Sequence, residues 1–123
     1  MPKFSNLKSQ NSRLKTQNSN PNNMTTTFTE ENSNYVMRLE GRLDTSASSQ
    51  AEREMQVLYN CAGHDIILDC SGLEYISSSG LRIFLAVLKN ANKNKSKVTI
   101  KGMNDDLRQV FDEIGFTNLF HFE

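Results

Sequence analysis

Residues 64–88 read HDIILDC-SGLEYI-SSSG-LRIFLAVL, and this stretch determines the predicted fold class. Its first part, His64 to Cys70, has an apolar centre without alternation, which is typical of a strand buried on both faces of a sheet. A turn at Ser71 to Leu73 is expected to end that strand. After Ser77 to Gly80, apolar side chains recur at the i, i+3, i+4, i+7 spacing of an amphipathic helix, namely Leu81, Phe84, Leu85 and Leu88. The stretch therefore predicts a central strand that leads into a helix.

A hairpin is predicted upstream of this unit. Thr25 to Thr29 is rich in β-branched residues, and Tyr35 to Leu43 alternates apolar with polar side chains. Both patterns favour strands, and the second is typical of a strand with one buried face. Glu31 to Asn34, between them, has the composition of a turn. The two segments are therefore expected to pair as an antiparallel hairpin.

A helix is predicted between the hairpin and the central strand, over Asp44 to Ala62. Its start can be placed in two ways. Ser49 and Glu52 have the spacing of a capping box, whereas a start at Asp44 or Thr45 gives a longer helix. The buried stripe of this helix is expected to consist of Ala47, Ala51, Met55, Leu58 and Tyr59.

The chain continues with a strand, a helix and a final apolar segment. Val98 to Ile100, between lysines, predicts a half-exposed strand. The following helix has Asn104 or Asp105 as its N-cap. Phe116 to Phe122 predicts a short edge strand at the end of the chain. The core face of the last helix is expected to carry Leu107, Val110, Phe111 and Ile114.

The predicted order is β-β-α-β-α-β-α, with a possible final strand. Strand-helix-strand units produce parallel pairs through right-handed crossovers, and the opening hairpin adds an antiparallel pair. Because two strands carry a polar face, the helices are expected mainly on one face of the sheet. The fold class is therefore an α/β domain with a mixed β-sheet, over residues 25–123.

Composition separates residues 1–24 from this domain. They contain Lys3, Lys8, Arg13 and Lys15, no acidic residue and few apolar ones, which predicts a disordered polar and basic tail. Two explanations stay open: translation starts at Met24, or the tail is natural and has no function. The whole chain has 14 basic and 14 acidic residues, so the part after the tail keeps 10 basic against 14 acidic, a formal charge of −4. This balance argues against nucleic acid as a partner.

The sequence has few residues of the types that act in catalysis or bind metal ions in other proteins. Cys61 and Cys70 form no CxxC motif and have no histidine at metal-ligand spacing, so neither a metal nor another cofactor is expected. A nucleophilic serine in the run at Ser77 to Ser79 would need a base. His64 lies at the far end of the predicted strand, and His121 lies next to the end of the chain. The sequence therefore does not predict an enzyme, and a helix N-cap is the structural alternative for the serines.

Two segments together resemble a known family, the STAS domain of bacterial anti-sigma-factor antagonists. Gly41 to Asp44 is similar to the family's G-x-L-D motif. Leu68 to Leu81, LDCSGLEYISSSGL, is similar to its central signature, in which an aspartate precedes S-S-G-L. The resemblance covers residues 25–123. The chain departs from the signature at Ser77, which stands where the family has that aspartate.

The resemblance implies a function and a set of site residues. Ser78 matches the serine that is phosphorylated in regulated members, and Ser77 and Ser79 are alternative acceptors. Asp44 and Asp69, with Ser77, Ser79 and Gly80, are expected on the surface that binds the partner. That partner is implied to be an anti-sigma factor that is also a serine kinase, and a PP2C-type phosphatase is the second expected partner.

The resemblance leaves two functions open. In the first, the protein is a cytoplasmic anti-sigma-factor antagonist whose binding is switched by phosphorylation. In the second, it is a STAS accessory subunit that docks on an ABC-type membrane transporter. The chain itself is not expected to insert into a membrane, because its apolar runs are too short.

Overall fold

The chain enters the sheet through a hairpin in the computed structural model, which describes residues 24–123. Strand β1 (Met24–Glu31) pairs antiparallel with β2 (Asn34–Leu43) in an unbroken register. Asn32 and Ser33 form the connection, and both have positive φ angles, 52° and 67°. Such angles are typical of the two-residue type I′ turn, whose twist matches that of the strands. The predicted hairpin is confirmed.

The remaining elements alternate between helix and strand. They are α1 (Thr45–Met55), followed by a short 3₁₀ turn over Gln56–Leu58, then β3 (Ile66–Ile76), α2 (Ser78–Lys93), β4 (Val98–Lys101), α3 (Asp105–Glu113) and β5 (His121–Phe122). The sheet order is β1-β2-β3-β4-β5, and every pair after the hairpin is parallel. The predicted mixed sheet, element order and final edge strand are therefore confirmed.

The two faces of the sheet differ in composition. Met37, Leu68 and Ile100 lie side by side in neighbouring strands and are buried beneath the helices. Their sequence neighbours Arg38 and Asp69 point to the opposite face, which no helix covers within residues 24–123. This arrangement follows from the period of two along each strand, and it agrees with helices on one face.

Strand β3 is longer than predicted, because the expected turn at Ser71 to Leu73 does not form. The strand continues to Ile76 with two register shifts against β2, each of which inserts one extra residue on β3. Such β-bulges bend a strand without ending it. Gly72 lets β3 approach β2 closely at the first bulge, since a Cβ atom at this position would lie 2.8 Å from the Cγ atom of Glu40.

Two boundaries in the first half of the chain also differ from the predictions. Met24 was assigned to the tail but is the first residue of β1 and only 6% exposed. The start of helix α1 agrees with the earlier of the two predicted positions, at Asp44 or Thr45, because the Asp44 carboxylate caps it. The helix ends at Met55 rather than Ala62 and continues as a 3₁₀ turn. The predicted disorder of residues 1–23 lies outside the described residues.

The core faces of the later elements are rotated relative to the predictions. On α2 the buried residues are Gly80, Ile83, Phe84, Val87, Leu88 and Ala91, while Leu81 and Leu85 are half-buried at the margin. On α3 only Leu107 and Phe111 are buried, and Ile114 is 45% exposed at the end of the helix. Val98 to Ile100 of strand β4 are buried, Thr99 included, because β3 and β5 flank the strand, and its last residue, Lys101, is exposed.

Phe111 connects α3 to the rest of the core. It is fully buried, and its ring makes edge contacts with the rings of Phe84, Phe116, Phe120 and Phe122 at centroid distances of 5.8–6.0 Å. These contacts join α2, α3 and the C-terminal segment into one aromatic cluster.

We therefore predict that Phe111→Ala lowers the free energy of unfolding by about 3–5 kcal/mol, the usual cost of removing a buried ring. Ile114→Ala, at the residue that follows α3, is the matched control and should cost less than about 1 kcal/mol because its side chain is 45% exposed. Urea denaturation of both variants gives the two values. Equal losses would contradict the placement of these side chains.

Candidate functional site: the paired starts of two helices

Two helices begin side by side at one end of the sheet. Asp44 follows β2 and precedes α1, and Ser77 follows β3 and precedes α2. Because β2 and β3 are parallel neighbours, their carboxyl ends lie at the same edge. The Ser77 amide donates to the Leu43 carbonyl oxygen at 2.8 Å, which ties the two junctions together. Loops at this edge of a parallel sheet are a common place for binding sites.

Both helices are capped by the side chain at the junction. Asp44 Oδ1 accepts hydrogen bonds from the Ala47 amide at 3.0 Å and the Ser46 hydroxyl at 2.9 Å. These bonds, with the nearby charge of Arg42, hold the pKa of the Asp44 carboxyl below its usual value. Ser77 Oγ accepts from the Gly80 amide at 3.2 Å, and Ser77 is only 7% exposed. Asp44 is thus a half-buried anion at the site, and Ser77 is a buried structural cap.

The three serines are not equivalent in accessibility. Ser78, the first residue of α2, is exposed, whereas Ser77 is buried and Ser79 is half-buried. Within residues 24–123 the Ser78 hydroxyl makes no hydrogen bond, so a modifying enzyme would not have to break one. Free backbone amides of the first helical turn lie next to it. Ser78 therefore has the geometry of a modifiable side chain, and Ser77 does not.

Gly80 sets the distance between the two junctions. A Cβ atom at this position would lie 2.8 Å from Cγ of Leu43 and 2.8 Å from Cγ1 of Ile76. Such distances are shorter than real side chains tolerate, so only glycine lets α2 approach β2 this closely. Gly80 is buried and contributes packing to the site, not a surface for contact.

An arginine and a tyrosine extend the site, and sequence reasoning missed both. Arg42 and Tyr75 are opposite each other in the register of β2 and β3, and the guanidinium carbon lies 4.4 Å from the centre of the ring. Tyr75 is 40% exposed despite its size. Arg82 is also exposed, one helical turn after Ser78 on α2. The i, i+4 spacing of Ser78 and Arg82 was readable in the sequence, but the Arg42–Tyr75 pair depends on the two bulges.

Asp69 does not join this site. It pairs with Arg38 in the middle of the sheet, whereas the junction lies at Leu43, five residues or roughly 17 Å further along β2. Burial raises the pKa of its carboxyl, but hydrogen bonds from Ser71 and the charges of Arg38 and Lys101 outweigh that effect and leave the pKa lowered. The expectation that Asp69 shares one surface with Ser78 is therefore not met by the geometry.

The described residues offer few other groups for chemistry. Cys61 and Cys70 are buried free thiols, and burial raises the pKa of Cys70 so that it stays protonated. Within residues 24–123 no group of three or more His, Cys, Asp or Glu side chains is placed to hold a metal ion. His64 bonds the Ser33 carbonyl at the opposite end of β3. No helix in the described part of the chain is both long and apolar enough to cross a membrane.

The fold and the site together define a class: a small α/β module that presents an exposed serine and an aspartate at two adjoining helix starts. A family model of the STAS domain matches residues 25–123. The chain belongs to the STAS domain family.

Relatives and solved structures agree with this assignment. An anti-sigma-B factor antagonist of Staphylococcus epidermidis is 26% identical over 87 residues, which are 71% of this chain and 81% of that protein. An anti-sigma factor antagonist from Mycobacterium paratuberculosis has a similar structure, with a TM-score of 0.74 at 19% identity, covering 85% of this chain and 88% of that one. The Bacillus cell fate determinant SpoIIAA in its phosphorylated form gives 0.62 at 19% identity, covering 80% and 90%. The two structural likenesses show the fold.

We predict that Gly80→Ala lowers the free energy of unfolding by about 1–3 kcal/mol, because the new methyl group overpacks against Leu43 and Ile76. Ser79→Ala, the neighbouring residue on α2, is the matched control and should stay within about 0.5 kcal/mol of the wild type. Thermal or urea denaturation measures both. A neutral Gly80→Ala would mean that the two junctions are not packed as closely as the structure has them.

Proposed function

We propose that this protein is an anti-sigma-factor antagonist whose binding is switched by phosphorylation of Ser78. It binds an anti-sigma factor that is also a serine kinase, and this binding frees a sigma factor. The observation that carries the proposal is the exposed Ser78 hydroxyl at the start of α2, which adjoins the helix start that Asp44 caps, in a STAS domain. The staphylococcal relative named as an anti-sigma-B factor antagonist supports it.

The electrostatics of the site favour such a switch. A phosphate adds a charge of about −1.5 to −2. At the first residue of a helix it lies near free amides and the positive end of the helix dipole, so the fold tolerates it. A partner packed over Ser78 would bury that charge next to the Asp44 carboxylate, which is costly without a compensating cation. Phosphorylation would therefore break the interface and leave the domain folded.

The replacement of the family aspartate by Ser77 is compatible with this proposal. Ser77 is buried and caps α2, and serine and aspartate are about equally good N-caps. The substitution removes a negative charge next to Ser78 but keeps the geometry that exposes it. Kinase recognition then depends on the remaining groups near Ser78, among them Asp44 and Arg82.

The protein would act through binding and not as a catalyst. It would do so in the cytoplasm, where its partners are an anti-sigma factor with kinase activity and a PP2C-type phosphatase that restores the hydroxyl. Asp44, Ser78 and Ser79 supply the contact surface in this proposal, while Ser77 and Gly80 hold it in place. Neither the staphylococcal relative nor the two solved structures is named as a part of a transporter.

We predict that Ser78→Ala abolishes phosphorylation by the cognate kinase but keeps the affinity for the anti-sigma factor. Because Ser77 is the cap, the free energy of unfolding should change by no more than about 0.5 kcal/mol. Ser78→Asp should keep the fold and weaken binding. Ser33→Asp, an exposed serine in the hairpin turn at the other end of the sheet, is the control and should bind like the wild type. Phosphosite mapping by mass spectrometry and calorimetric titration give both results.

The partner itself is identified by affinity capture from the native cell, with and without phosphatase treatment of the bait. The proposal expects an anti-sigma factor with a kinase domain, retained by the unphosphorylated protein only. Retention of an ABC-type transporter component instead would favour the transporter function. Phosphate on Ser77 or Ser79, combined with wild-type binding of the Ser78 variants, would contradict the choice of acceptor.

A further inference from the structure

Among residues 24–123, no strand pairs with the outer edge of β1. It is the outermost of the five strands, and its eight residues pair with β2 on one side only. The other edge of the sheet, β5, has two residues. An edge strand of this length is a template for pairing with another chain, and proteins usually protect it with lysine, proline or a bulge. Met24 to Thr29 contains no charge and no proline, and its register has no bulge.

The hairpin determines which backbone groups point outward. Glu31 and Asn34 close a two-residue turn and form a hydrogen-bonded pair, and such pairs alternate with non-bonded ones along an antiparallel ladder. The next pair, Glu30 and Tyr35, is not hydrogen-bonded, because the Tyr35 amide donates to the Asp65 carbonyl at 2.9 Å instead. It follows that the amide and carbonyl groups of Met24, Thr26, Phe28 and Glu30 point away from β2. No backbone hydrogen bond uses them within the described part of the chain.

We propose that this edge binds a second copy of this chain, with the two β1 strands antiparallel about a two-fold axis at Thr27. In this register Thr26 lies opposite Phe28 of the second copy, and Met24 lies opposite its Glu30. All four outward-pointing residues of each strand then form hydrogen-bonded pairs. The two sheets become one continuous sheet of roughly ten strands, a usual upper size for open sheets.

The side chains on the open face of β1 match each other in this register. Thr25, Thr27 and Thr29 lie on that face, opposite Glu40, Arg38 and Val36 of β2. Across the two-fold axis, Thr27 faces Thr27 of the second copy, and Thr25 faces its Thr29. Threonine pairs directly opposite each other stabilise antiparallel strands. The interface therefore consists of uncharged, β-branched pairs along its centre.

Charge also favours the antiparallel arrangement. The acidic residues Glu30 and Glu31 lie at one end of β1, so the two-fold axis separates the acidic ends of the two copies. Each acidic end then lies beside the uncharged Met24 of the other copy. The antiparallel arrangement therefore keeps the like charges of the two copies apart.

The dimer leaves the helix junctions accessible. Met24 pairs with Gly41, so the end of β1 where the chain enters lies at the same edge as Asp44 and Ser78. The two-fold axis places the corresponding site of the second copy at the opposite edge of the joined sheet. Two serine sites then point in opposite directions, and the dimer can hold two partner molecules. The association does not depend on the proposed function.

Sedimentation equilibrium of the full chain tests the proposal, and we expect a monomer–dimer equilibrium. Thr27→Lys and Thr27→Glu each place like charges directly across the two-fold axis and should each give a monomer. An equimolar mixture of the two variants should form a dimer again, because opposite charges then face each other. Thr29→Lys is the matched control: it lies on the same face of β1 but does not face itself, so its dimer should persist. Circular dichroism checks that every variant is folded.

Three results would overturn the proposal. The first is a wild-type chain that stays monomeric at every concentration while the Thr26, Phe28 and Glu30 amides exchange rapidly with deuterium. The second is a monomer in which these amides are protected, since another segment of the same chain would then cover the edge. The third is a dimer that the Thr27 variants do not affect, because a different surface would then hold it.

Discussion

The structure depends on the contact between the ends of two parallel strands. The Ser77 amide bonds to the Leu43 carbonyl, and Gly80 packs against the Leu43 side chain at a distance that no other residue permits. This contact aligns the starts of α1 and α2. Without it, Asp44 and Ser78 would belong to separate loops. With it, they form one surface that carries an anion and a modifiable hydroxyl.

The same contact explains how one residue can change binding without changing the fold. The Ser77 hydroxyl accepts the hydrogen bond from the Gly80 amide in the first turn of α2. The helix start therefore does not need the Ser78 side chain, whose hydroxyl points to solvent. A negative group at this position meets the favourable end of the helix dipole in the free protein. In a complex it would meet a desolvated surface next to Asp44. A negative charge at Ser78 is therefore favourable in the free protein and unfavourable in the complex, which is what a switch requires.

Periodicity in the sequence predicted the elements and their order, because each strand and helix carries its own pattern of apolar residues. It failed where tertiary contacts override local pattern. Gly72 looked like part of a turn, but the neighbouring strand allows β3 to bulge and continue there. Ile114 keeps the helical spacing of a core residue, yet α3 ends before the core reaches it.

The candidate site was only partly predictable for the same reason. The resemblance to a family identified Asp44 and the serine run, and the capping rules gave the serines an alternative role as a helix N-cap. The resemblance implies that Asp69 lies on the same surface, and the sequence does not reveal the length of β3 that separates it from Ser78. The Arg42–Tyr75 pair was missed because its register depends on both bulges. Local sequence patterns identify the helix caps. The distances between residues along one strand or across two strands become known only when the sheet is assembled.

Hydrogen exchange of the chain with and without phosphate on Ser78, each in the presence and absence of the anti-sigma factor, tests the central claim most directly. The account predicts that core amides of β3 and α2 are equally protected in both free forms. It also predicts that the partner protects the first turns of α1 and α2 only when Ser78 is unphosphorylated. Loss of core protection in the phosphorylated chain would contradict the account, because the switch would then act by unfolding. Equal protection of both forms by the partner would contradict it as well, because phosphorylation would then not control the interface.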